Sequence, residues 1–150
     1  MKKLPLAFLI VSFLGGCVSS GTQTLKTSDT RECAKNFTYN GSFLAGRKYQ
    51  THGFVKNVSQ KEAMKRAALY TLNHGWQIIS TNEELGFISA SRTVSYGQGK
   101  TVPLNITIEP INNGVKVSMT YTTSVGVTSP LELITEHFCS TIEAIGGKQE

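Results

Sequence analysis

The chain has 150 residues, 39% of them hydrophobic and 17% charged, with a formal charge of +5 and three cysteines. That length suits one domain of ordinary size with a real core. Lys and Arg are scattered, from Lys35 to Lys116, with no dense block. This excludes the basic footprint of a nucleic-acid binder.

The first sixteen residues are built like an export signal. Lys2 and Lys3 form a positive start, and Leu4 to Leu14 is apolar except at Pro5 and Ser12. The run of about ten residues fits a signal core and falls short of the roughly 20 that a membrane-spanning helix needs. Leu14-Gly15-Gly16-Cys17 then resembles the lipobox of bacterial lipoproteins: an aliphatic residue, two small residues and a cysteine. That resemblance implies a diacylglycerol thioether on Cys17, cleavage before it, and often a third acyl chain on the new N-terminus. Two or more chains anchor stably where one does not. Val18, not Asp, follows the cysteine, which by the same resemblance implies the outer membrane, with the domain facing the periplasm.

With Lys2 and Lys3 removed, 13 of the 15 Lys and Arg remain against 10 Asp and Glu, a formal charge of +3. Val18 to Arg31 is rich in Ser and Thr and nearly free of apolar residues. Such a segment buries nothing and reads as a flexible tether. The expected organisation is a signal over 1–16, a tether over 17–32 and one domain over 33–150. With Cys17 lipidated, Cys33 and Cys139 remain in an oxidising compartment, where one disulfide is the simplest outcome and two separate buried thiols the other.

Tyr49 to Lys56 reads as a strand. Ser59-Gln60-Lys61-Glu62 is a capping box, and Ala63, Met64, Ala67, Ala68, Thr71 and Leu72 follow on one side of a helix that Gly75 stops. Trp76–Ser80 and Phe87–Thr93 are two further strands around a turn at 82–86. Val102, Leu104, Ile106 and Ile108 alternate with polar residues, as do Val115, Val117, Met119 and Tyr121. Pro103 points to a strand start or an edge. Asn112-Asn113-Gly114 between these strands holds an Asn-Gly pair suited to a tight hairpin. Ser129-Pro130-Leu131-Glu132 reads as a second capping box, with Leu131, Ile134, Phe138, Ile142 and Ile145 at helical spacing up to Gly146-Gly147.

The expected fold is α+β, in the order β-α-β-β-β-β-α, an antiparallel sheet packed against two helices. This order, with Gly75-Trp76 after the first helix and Gly86-Phe87-Ile88-Ser89-Ala90 on a hairpin arm, is similar to the helix-grip domains of outer-membrane lipoproteins, such as the C component of the β-barrel assembly machine.

Gly99-Lys100-Thr101 looks like the end of a phosphate loop, but Val94 stands where the motif needs Gly, and strands flank it on both sides. His52, His74 and His137 show no metal-ligand spacing, and no nucleophile elbow exists. The chain is therefore expected to be no enzyme and to carry no metal or cofactor. The expected function is a lipid-anchored interaction or assembly-support module with an envelope protein as partner. Its surface would run through Tyr49, His52, Phe54, Tyr96 and Lys100, since loops and edges on a rigid scaffold carry recognition. The alternative is a carrier that holds a lipid or other small hydrophobe in a pocket lined by Met64, Trp76, Ile106, Met119 and Phe138.

Overall fold

The computed structural model describes residues 21–94 and 99–147. Cys17 and Tyr96 lie outside them. Among the described residues the architecture is α+β: seven antiparallel strands in one sheet, with three helices. The elements are β1 (Gln23–Thr24), α1 (Glu32–Lys35), β2 (Thr38–Ser42), β3 (Gly46–Lys56), α2 (Gln60–Asn73), β4 (Gln77–Asn82), β5 (Phe87–Thr93), β6 (Thr101–Ile111), β7 (Gly114–Thr123) and α3 (Leu131–Ile145). The sheet order is β1-β2-β3-β7-β6-β5-β4, so the β4–β7 meander folds back to lay its last strand against β3.

Period-2 alternation explains the sheet. On β6 and β7, Val102, Leu104, Ile106, Ile108, Val115, Val117, Met119 and Tyr121 are all buried on one face. On α2 the small side chains Ala63, Ala67 and Thr71, with Met64, cover that face. On α3 the apolar stripe Ile134, Phe138, Ile142 and Ile145 is buried beside it. Helix α3 comes so close to β3 that a Cβ on Gly53 would stand 3.3 Å from two methyl groups of Ile142. Each large apolar side chain buried here contributes about 1.5–3 kcal/mol.

Local signals are met with three corrections. Ser59 caps α2, its hydroxyl accepting from Glu62 N–H at 3.2 Å, but the Glu62 carboxylate turns to Arg66 Nε at 2.8 Å instead of closing the box. Ser129 caps nothing: α3 starts one residue later than a cap there requires, behind Pro130, and Ser129 Oγ meets the Tyr121 hydroxyl at 3.1 Å. The β6–β7 hairpin turns on Asn112-Asn113, with left-handed φ (+63°) at Asn113, while Gly114 already pairs with Ile111. Gly75 does stop α2, with φ +79°. Pro103 sits at a strand start, ahead of the first β6–β7 pair, Leu104 with Tyr121.

The largest departure from the sequence reading is N-terminal. Two strands and a short helix precede β3, and the segment read as a tether is fastened to the domain from Gln23 onward. Gln23 and Thr24 pair with Tyr39 and Thr38 of β2. Arg31 binds Asp29 at 2.6 Å and reaches across to Glu136 and Glu143 of α3. These attachments use backbone pairing and charge, which a count of apolar residues does not register. Cys33 and Cys139 are joined in a disulfide, Cα–Cα 5.5 Å, across a sequence separation of 106.

Candidate functional site

Of the predicted surface, Tyr49 is a correction: it is 0% exposed. The pleat decides this. Tyr49, Thr51 and Val55 point inward, so residues at even positions, His52 and Phe54 among them, take the other face. No surface can hold Tyr49 together with His52. His52 and Phe54 do share the outer face, ring edge to ring face at 5.9 Å. Lys100 is exposed and its Nζ donates to the Val125 carbonyl at 2.8 Å, tying the β5–β6 connection to the loop after β7. Tyr96 falls among residues 95–98, outside the description.

Two features stand out instead. The first is an open groove of about 540 Å³ between α2 and the end strand β4, lined by Met64, Lys65, Ala68 and Leu69 on one side and by Thr81, Glu83 and Ile88 on the other. Among the described residues strand β4 pairs only with β5, and no described strand covers its outer edge. A register shift between Ile78 and Ser80 leaves Ile79 60% exposed there, and Leu69 is exposed on the facing helix.

The second is a cleft of about 140 Å³ at the end of the sheet where β5 and β7 finish. It is lined by Trp76, Arg92, Tyr121, Ser129, Pro130, Leu133, Ile134, His137 and Phe138. The sequence separates these residues widely; the β5–β6–β7 register and the first half of α3 bring them together. Trp76 is central. Its indole is 4% exposed, parallel to the His137 ring at 5.7 Å, edge-on to Tyr121 at 6.0 Å, and capped by the Arg92 guanidinium 4.7 Å from the ring centre. Trp76 Nε1 and His137 Nε2 are both buried, and neither has a hydrogen-bond partner among the described residues. His74, at the end of α2, donates from Nδ1 to the Tyr70 carbonyl at 2.8 Å and stands 6.2 Å from His137. Behind the cleft an aromatic series runs from Tyr121 through Tyr49 and Phe37 to Phe138. Burial pushes the Tyr49 phenol above its usual range.

Burial first, then the electrostatic influence of the Arg92 guanidinium and of the neighbouring His74, push the His137 imidazole down to about 4. An unfolded histidine titrates near 6.5, so as pH falls below that value the unfolded chain takes the proton first. The sign follows: His137 leaves stability unchanged above about pH 6.5 and erodes it between about 6.5 and 4, by up to about 1.4 kcal/mol per pH unit. Urea denaturation at pH 7 and pH 5 should show a loss that is smaller in His137→Gln. Equal losses in both proteins would reject this assignment.

Trp76 and Phe138 belong to the pocket proposed for a carrier, but its other members do not line the cleft. Ile106 and Met119 are buried in the core and Met64 faces the α2–β4 groove. Sequence reasoning missed Arg92, Tyr121 and His137 as one cluster. No motif marks them, and the signal available was a buried Trp beside a helix stop. Among the described residues, no group of three or more His, Cys, Asp or Glu is placed to hold a metal ion. No helix among them is long and apolar enough to cross a membrane.

No family model matches the sequence, and no curated protein does. Among solved structures, the chain is similar to the crystal structure of Ara h 8.0201. The TM-score is 0.49 and the identity 11%, over 69% of this chain and 97% of that one.

Proposed function

We propose that the protein is a lipid-anchored, non-catalytic module of the bacterial envelope that binds another envelope protein, with the α2–β4 edge as its contact surface. The address rests on the lipobox-like Leu14-Gly15-Gly16-Cys17. The helix-grip likeness rests on the run from β3 through α2 and the β4–β7 meander to α3. The observation that carries the binding role is the edge of β4, uncovered among the described residues, with exposed Ile79 on that strand and exposed Leu69 lining the groove beside it. An unpaired edge beside an apolar groove is suited to strand addition by a partner. The carrier alternative has less support: the cleft at Trp76 and Phe138 is about 140 Å³, against the roughly 300 Å³ or more of sites that enclose drug-sized ligands, and the larger α2–β4 groove, about 540 Å³, is lined by Met64 alone of the residues proposed for a carrier.

The test is affinity isolation of the full-length protein from gently solubilised envelopes, with mass spectrometry of protein and lipid. A stoichiometric envelope protein should co-purify, and Ile79→Lys with Leu69→Asp should cut its recovery at least tenfold. A bound small hydrophobe with no protein partner would overturn the reading. So would a partner retained in full by the double variant. The same spectra report whether Cys17 is acylated.

A further inference from the structure

The Trp76 cleft has a composition that simple core filling does not explain. Two polar atoms, Trp76 Nε1 and His137 Nε2, are buried without partners among the described residues, and both belong to residues that line the same opening. A buried donor left unpaired costs about 1–3 kcal/mol, and in a native structure such an atom calls for a partner from solvent or ligand. Arg92, at the mouth, is exposed and has no carboxylate partner among the described residues; its guanidinium lies over the Trp76 face. The opposite wall is apolar, formed by Pro130, Leu133, Ile134 and Phe138.

We propose that this cleft binds a small monocarboxylate with a compact apolar body. The carboxylate oxygens would accept from Trp76 Nε1–H and from the Nε2–H tautomer of His137, Arg92 would supply the opposing charge, and the body would lie against Ile134 and Phe138.

Each element of the ligand answers one observation. The acceptor oxygens satisfy the two unpaired nitrogens. The negative charge meets Arg92, the one cation among the described lining residues. Two donors and a single guanidinium match one carboxylate rather than a more highly charged phosphate. The body must be small, because a cavity of about 150 Å³ takes a benzene-sized molecule. The imidazole, held neutral by its burial, keeps one N–H to donate and adds no second charge. This site lies apart from the β4 edge and stands or falls independently of it.

Trp76 is the only tryptophan in the chain, so its fluorescence and its indole N–H resonance report on the cleft alone. Benzoate is the probe, with benzyl alcohol as its uncharged counterpart and inorganic phosphate as a plain anion, each titrated into the folded protein at pH 7. We expect saturable benzoate binding with Kd below about 1 mM, a downfield move of the indole N–H, and at least tenfold weaker binding of the other two. Arg92→Gln should weaken benzoate at least tenfold, and Leu133→Phe, which fills the opening without adding a second indole, should block it. Both replace exposed side chains, and unchanged circular dichroism would show that the fold is kept. Absence of saturation at tens of millimolar would mean that only water meets the two nitrogens, and would overturn the proposal. Equal binding of benzyl alcohol or of phosphate, or full affinity in Leu133→Phe, would overturn it too.

Discussion

Replacing both bridged cysteines, Cys33→Ala with Cys139→Ala, is expected to lower the unfolding free energy by about 4–5 kcal/mol. The link closes a span of 106 residues, and chain-entropy arguments assign a loop of about 100 residues roughly 4.7 kcal/mol. Little offsets this in the native state. Cys139 is fully buried and Cys33 nearly so, and alanine there leaves no stranded hydroxyl. Urea denaturation should show a lower midpoint, and dithiothreitol should lower the parent's stability to the same level. A double variant within about 1 kcal/mol of the parent would mean that the unfolded chain is not held open by the loss of the bridge.

The second large effect is Phe138→Ala, expected to cost about 3–5 kcal/mol. Phe138 is 1% exposed and packs ring to ring on Phe37 at 6.0 Å, so truncation leaves a hole beside an opening that already exists. Leu133, five residues earlier on the same helix, is 67% exposed, and Leu133→Ala should stay within about 0.5 kcal/mol. Chemical denaturation of the two variants side by side checks the pair. A cost below about 1.5 kcal/mol at Phe138 would show that the aromatic cluster collapses into the gap. Because Phe138 adjoins Cys139, its effect and that of the bridge are not expected to add.

The part of the fold legible in the sequence is the part written in long periodic patterns. The stripe Ile134, Phe138, Ile142, Ile145 and the alternation from Val102 to Tyr121 each repeat often enough for one face to be read without ambiguity. Strand β2 was not legible: TYNGS offers two β-forming residues and then Asn, Gly and Ser, and it is held by pairing with β3 across a turn. The Tyr49 error was one of parity, since 49 and 52 cannot point to the same side of a strand. The Trp76 cleft was illegible for another reason. Arg92, Tyr121 and His137 stand on three elements whose meeting is fixed by register and crossover, and no local window contains two of them.

The disulfide also sets how the molecule bears a pull. Residues 34–138 lie inside the covalent loop that Cys33 and Cys139 close. A load applied before residue 33 and after residue 139 travels through the sulfur–sulfur bond and bypasses nearly the whole sheet. Under a pull between its two ends the chain can lengthen only by what lies outside that loop, so β3 to β7 are shielded from stretching. Reduction removes the bypass and places the sheet in the load path.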